Sequence, residues 1–329
     1  MLELRSVFKH EIEQYLALRK KTLTPESYRL YLYVLRNLDE YLIECNVTTK
    51  TVEEKTVNGW IQQFYDFNVV RTVSEKVSRL RKFLEYLRYS GFQVFIPGCP
   101  KYSDSYVPYI FSDDELEKIF YVADRLEYSE RRPTSRYSRF TFPMLLRLLY
   151  GCGLRVGETL AVRIGDINFD DGILFLKHTK NKKQRIVPMS RNLTEMLHRY
   201  CAAMRLTDNS NAFLFPNGIH NEKLSVPTAD AMFKNVLQTA GIYVKPDIHK
   251  RGQCLNCFRH LFAVRSFAQA ERNGRSTDDS IPFLSVYLGH YDMDGTEKYL
   301  KFNSDIFPEY TELFESYAAG VFSEVLYEK

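Results

Sequence analysis

The sequence has no run approaching the roughly 18 apolar residues of a bilayer-crossing helix, so no transmembrane segment is expected. Its opening residues, Met1 to Gln14, are charged and lack the apolar stretch of a secretory signal. Cysteine is scarce: six in 329 residues do not make a disulfide framework, which points to a reducing, cytosolic compartment. There is no internal repeat and no low-complexity tract. Charge of one sign is also in short supply. A formal net charge of +4 barely favours a polyanionic partner. What is present is ordinary globular material, 45% hydrophobic and 26% charged, enough for a core in each of two domains.

One absence is local. From Gly172 to Thr194 there is no acidic residue, while Lys177, Lys180, Lys182, Lys183, Arg185 and Arg191 all fall there. A second basic stretch holds Arg71, Lys76, Arg79, Arg81, Lys82 and Arg88. Taken alone, either stretch reads equally well as a solvated face or as a surface for phosphates.

The first hundred residues read as helical. Leu35, Leu38 and Leu42 recur at helical spacing after Thr24-Pro25-Glu26, a cap with proline at the first helical position. Val73, Val77, Leu80, Leu84 and Leu87 form a second stripe that ends at Ser90-Gly91. Lys76, Arg79 and Lys82 lie off that stripe, free to touch phosphates while the apolar side packs. Pro97-Gly98-Cys99-Pro100 then breaks the periodicity. Ser112-Asp113-Asp114-Glu115 restarts it as a capping box. Later, Gly172–His178 and Gln184–Met189 read as two short strands joined at Asn181-Lys182-Lys183. From Thr228 on, residues 228–240, 254–272, 280–289, 294–301 and 308–325 read as helices. The expected fold is mainly α with a small antiparallel β-sheet. A helical domain spans 1–98, a linker 99–107, and an α+β domain 108–329 ends in a tail helix.

Five short signals carry chemistry, and each has a bland reading beside it. Gly153-Leu154-Arg155-Val156-Gly157-Glu158 places an arginine at a helix start with a glutamate one turn on. In isolation that is a capped helix with an ion pair. Lys180 precedes a hairpin turn and is, alone, a solvated lysine. Arg259, in Phe258-Arg259-His260, sits among apolar neighbours, where an unpartnered guanidinium would cost several kcal/mol. Leu288-Gly289-His290 ends a helix. Tyr299 follows, one of 23 tyrosines, most of which must be filler.

Together, in the order Arg, Lys, Arg, His, Tyr, these segments resemble the tyrosine-type site-specific recombinases, the integrase family. GCGLRVGETLAV resembles the family's first arginine box and TKNKKQRIVPM its hairpin lysine box. NCFRHLFAV resembles the second arginine box. YLGHYDMDGTEKYL resembles the histidine-to-tyrosine box, with a fitting gap from His290 to Tyr299. The resemblance covers roughly residues 108 to 305. It implies a helical N-terminal DNA-binding domain and a catalytic domain that clamp double-stranded DNA, with homo- or hetero-tetramers forming on paired sites. Tyr299 would attack a phosphodiester to give a 3′-phosphotyrosyl link, without metal, ATP or other cofactor. Arg155 and Arg259 would hold the phosphate, Lys180 would protonate the leaving oxygen, His290 would hydrogen-bond the phosphate or orient the tyrosine, and Glu158 would hold Arg155. Lys76, Arg79, Lys82, Lys182, Lys183 and Arg185 are the candidate DNA contacts. The compartment implied is the cytoplasm, at the nucleoid. Asn256 departs from the pattern, because the family usually has histidine or lysine there. Asparagine can hold a phosphate oxygen but cannot move a proton at neutral pH.

Three rival readings stay open at the sequence level. His249, Cys254, Cys257 and His260 prompt a zinc site, although Cys254 and Cys257 share a helix and no second knuckle follows. Reduced cysteines packed in that helix are the simpler reading. A type IB topoisomerase would use a similar set of residues. A DNA-binding accessory member of a recombination complex, with weak catalysis because of Asn256, is the third.

Overall fold

A computed structural model describes residues 4–102, 108–126, 135–177, 184–217, 222–246, 252–290 and 293–297. The chain divides into two compact units, Met1–Ser105 and Tyr106–Lys329. Lys180, Lys182, Lys183, His249, Tyr299 and the expected tail helix at 308–325 lie outside the described residues.

The first unit is helical, with α1 (Lys9–Thr22), α2 (Pro25–Glu44), α3 (Glu54–Gln62) and α4 (Val70–Tyr89). The helix α2 begins where its sequence directs. The Thr24 hydroxyl accepts the Ser27 N–H, and Pro25 fills the first position, where a missing N–H costs nothing. Leu35, Leu38 and Leu42 on α2 and the Val73-to-Leu87 stripe on α4 bury together with Phe8, Tyr15, Trp60 and Phe83. The buried Asp39 carboxylate accepts the backbone N–H groups of Arg5 and Ser6 at 2.9 and 3.0 Å, which ties the chain start to α2. Two short strands, β1 (Thr51–Val52) and β2 (Gln93–Val94), pair in parallel. The basic face of α4 is partly occupied. Lys76 Nζ lies 4.0 Å from the centre of the Phe64 ring. Arg79 donates to the Glu75 carbonyl at 2.8 Å. Lys82 is exposed.

The second unit is mostly helical with one antiparallel sheet. Its elements are α5 (Asp113–Ala123), α6 (Ser135–Cys152), α7 (Val156–Thr159), β3 (Ile167–Asn168), β4 (Ile173–Leu176), β5 (Arg185–Pro188), α8 (Arg191–Ala203), α9 (Val226–Thr239), α10 (Asn256–Arg272), α11 (Thr277–Leu288) and α12 (Asp294–Glu297). The Ser112–Glu115 capping box starts α5. The sheet order is β3-β4-β5, with Leu174 opposite Val187 and Leu176 opposite Arg185. Leu174, Leu176 and Val187 are buried, whereas Phe175 and Ile186 face out. Side chains alternate along a strand, so this register sends Arg185 inward with Val187. Phe258 anchors α10 in the core, with its ring centre 5.6 Å from those of Phe111 and Phe233. Burial on this scale holds Arg259, the next residue, in a fixed place.

Candidate active site

Two breaks in helix geometry build the site. After α6, Gly153 takes a left-handed conformation (φ +59°) and turns the chain into α7. A Cβ there would lie 2.4 Å from the Phe262 ring, so the turn requires glycine on two counts. After α11, Gly289 is a left-handed cap (φ +66°). These turns bring the carbonyls of Gly153, Leu288 and Gly289 to one place. Arg259 is buried and donates to the Gly153 carbonyl at 3.0 Å and to the Leu288 carbonyl at 2.8 Å. Arg155 reaches the Leu288 carbonyl at 3.5 Å and the Gly289 carbonyl at 3.2 Å. The two guanidinium groups, far apart in sequence, therefore converge on one carbonyl. The Arg155 side chain keeps 27% exposure.

His290 follows Gly289 directly. Its Nε2 lies 3.0 Å from an Arg259 nitrogen and its Nδ1 lies 2.6 Å from the Thr296 hydroxyl. A guanidinium only donates, so Nε2 accepts. In a neutral ring the proton then sits on Nδ1 and points at Thr296, which is fully buried in α12. Gly295 lets α12 pass close, since a Cβ there would lie 3.2 Å from the imidazole.

Glu158 lies beneath. Its carboxylate bonds Arg155 at 2.8 Å and Arg185 at 2.7 Å. Burial would raise its pKa, but Arg185 and then Arg155 outweigh that and hold the carboxyl below its ordinary range. The Arg155–Glu158 contact follows from their one-turn spacing. The position of Arg185 was not anticipated, since a place in a basic run had suggested a DNA contact. Its side chain is only 10% exposed and packs against Gly289. The signal was the alternation that puts it on the same side as Val187. Thr296 was also missed, and no local pattern marks it. Asn256 opens α10 with an exposed side chain, one turn before Arg259. Arg155 and Arg185 share the Glu158 carboxylate, and Arg259 meets Arg155 at the Leu288 carbonyl, so three guanidinium groups gather at one place, which suits an anion with several oxygens.

Cys254 and Cys257 place their sulfurs 3.7 Å apart at the start of α10. Among the described residues, no group of three or more His, Cys, Asp or Glu side chains is placed to hold a metal. No described helix is long and apolar enough to cross a membrane.

Comparison with known proteins places the chain in a family. A putative integrase/recombinase of Sinorhizobium fredii, y4rB, is 27% identical over 205 residues, covering 61% of this chain and 64% of that protein. The tyrosine recombinase XerA of Pyrococcus horikoshii is 30% identical over 197 residues, 59% of this chain and 57% of that protein. This chain therefore spans less than two thirds of the length of both. The XerA of Pyrococcus furiosus is 25% identical over 308 residues, 91% of this chain and 90% of that protein. Among solved structures, XerH bound to palindromic difH in a post-cleavage complex matches the fold with a TM-score of 0.66 at 17% identity, covering 92% of this chain and 84% of that one. A lambda integrase dimer on a COC' core site matches at 0.63 and 16%, covering 88% and 76%. The phage integrase family model matches residues 111–305, more than half of the chain and the whole of the site just described, so this protein belongs to the phage integrase family of tyrosine recombinases.

Proposed function

We propose that this protein is a site-specific DNA recombinase that cuts and rejoins DNA strands through Tyr299. The observation that carries this reading is the convergence of Arg155 and Arg259 on the Leu288 carbonyl, with His290 bonded to Arg259. A phosphodiester presents an anionic oxygen pair that two such forks can bind, and it gains charge on those oxygens as it reacts.

In this reading the Tyr299 hydroxyl gives up its proton to solvent as its oxygen bonds to phosphorus, the bond to the 5′ oxygen breaks, and Lys180 gives that oxygen a proton and regains one from solvent, so the protons balance. A phosphotyrosyl ester replaces a phosphodiester one for one. A 5′ hydroxyl from another strand then reverses the step. None of these steps consumes ATP, and none is assigned to a metal. Asn256 holds a phosphate oxygen, and Glu158 holds Arg155. The segment 1–98 is a DNA-binding domain joined by 99–107 to the catalytic domain, and Lys82, Lys182 and Lys183 contact phosphates. Four copies, or copies of this chain and a relative, assemble on two double-stranded sites; lambda integrase, a neighbour in fold, has been solved as a tetramer bound to a Holliday junction. The work is done in the cytoplasm, at the nucleoid.

A nicked suicide substrate carrying the protein's own site tests the reading. It should trap a covalent adduct that survives SDS, in the presence of EDTA. Tyr299→Phe should abolish the adduct, while Tyr287→Phe and Tyr291→Phe keep it. An adduct that persists in Tyr299→Phe sinks the assignment.

A further inference from the structure

Cys254 and Cys257 bracket Asn256, and no step above uses them. Their sulfurs lie 3.7 Å apart, and the Cys254 N–H donates to the Cys257 sulfur at 3.4 Å. Cys254 is partly exposed, whereas Cys257 is buried in the core. The two differ in chemistry as well as in access. The hydrogen bond from Cys257, joined by the N–H groups of Asn256 and Cys257, outweighs burial and the nearby Asp230 and lowers the Cys254 thiol to about 7. The same hydrogen bond, with burial, pushes the Cys257 thiol up. An accessible sulfur with thiolate character beside a protonated partner is the arrangement that disulfide formation needs.

We propose that Cys254 and Cys257 are a redox modification site, closed by a peroxide-class oxidant into a disulfide that shifts the first turn of α10 and slows strand cleavage. The Cys254 thiolate attacks one peroxide oxygen and the O–O bond breaks. Sulfur is oxidised to the sulfenic acid, and the leaving hydroxide takes a proton to become water. The Cys257 thiol then attacks that sulfur. The S–S bond forms, the S–O bond breaks, and the Cys257 proton leaves with the hydroxyl as a second water. Two thiols and one peroxide thus give one disulfide and two waters.

Closure draws the sulfurs from 3.7 Å to about 2.0 Å. Cys257 is followed by Phe258, which is wedged between Phe111 and Phe233, so the core resists movement on that side. The adjustment falls on residues 252–256 and the opening of the helix, where Asn256 stands one turn before Arg259. A displacement of about 1 Å in a group that positions a reacting phosphate can cost up to roughly 10²-fold in rate.

The test uses the full chain, reduced and then treated with hydrogen peroxide. After alkylation and digestion, the peptide holding residues 254 and 257 should be lighter by two hydrogens, carry no alkyl group, and regain both thiols in dithiothreitol. Cleavage of the suicide substrate should fall by roughly tenfold or more and recover with dithiothreitol. Cys254→Ser should cleave like the reduced protein and ignore peroxide. If peroxide leaves both thiols open to alkylation, or takes Cys254 to the sulfinic acid without joining Cys257, the site is disproved. A disulfide that leaves cleavage unchanged, or a Cys254→Ser protein that peroxide still slows, overturns the link to α10. Only the slowing of cleavage rests on the recombinase reading. If the reduced protein cleaves nothing, that reading fails, and the mass measurement still decides the disulfide.

Discussion

Among the described residues of the second unit, Glu158 and Asp166 are the buried acidic side chains, and two guanidinium groups bond Glu158. Its folded pKa is depressed, so its contribution to stability is fully present above the ordinary carboxylate range, near 4.3, and is lost as pH falls through the lower folded value. Glu158→Gln should therefore lower the melting temperature at pH 7 and make the melt less sensitive to acid than the parent's. Equal acid sensitivity would show that other carboxylates govern the acid limb. Among the cations, Arg155→Ala and Arg259→Ala should each lose roughly 10²-fold in cleavage while still binding the site. Lys180→Ala should recover with a bridging phosphorothiolate, whose leaving group needs no acid. Rescue of the arginine variants but not of the lysine variant would reverse the roles. Arg185 separates from Lys82 by salt dependence. An exposed phosphate contact contributes about 1 to the slope of log affinity against log salt, so Lys82→Ala should reduce that slope. Arg185→Ala should leave the slope alone and slow cleavage, because its partner is Glu158. The motif order Arg, Lys, Arg, His, Tyr was legible because each box has its own spelling. The role of Arg185 was hidden by charge composition, which says nothing about which side of a strand a residue takes.

At the scale of elements, the starts of helices were the most readable features. Thr24 and Ser112 cap as written, since a side-chain oxygen two or three residues before an amide is a local matter. The parallel pairing of Thr51 with Gln93 was not readable. Two residues are too few for alternation, and the partner lies far along the chain. The turn at Gly153 joins α6, α7 and α10, because its carbonyl receives Arg259 and its open face receives Phe262. Gly153→Ala should cost about 1–2 kcal/mol for the left-handed backbone alone, with displacement of Phe262 added to it. Phe262 stacks on Tyr287 at 5.3 Å, so the disturbance should extend to α11. Calorimetry and single-turnover cleavage should fall together. A Gly153→Ala protein with unchanged melting and activity would mean that the turn relaxes without cost.

At the scale of the whole molecule, the proposed binding of DNA does not require a large bulk charge. Affinity for DNA needs phosphates neutralised along a surface, and a formal net charge of +4 can still be distributed into basic faces. On a DNA fragment with two sites, sedimentation should detect four copies per complex, and a fragment with one site should hold no more than two. A stable complex of one copy on two sites would argue for the topoisomerase-like alternative. The two units also have separate hydrophobic cores, one built around Trp60 and Phe83 and the other around Phe258 and Phe215. In evolutionary terms, each half carries a hydrophobic core of its own. A gene crossover near codon 100 would hand a descendant a new front half and keep the core that carries the arginine cluster in one piece. Lineages of such proteins should then show front and back halves with different genealogies.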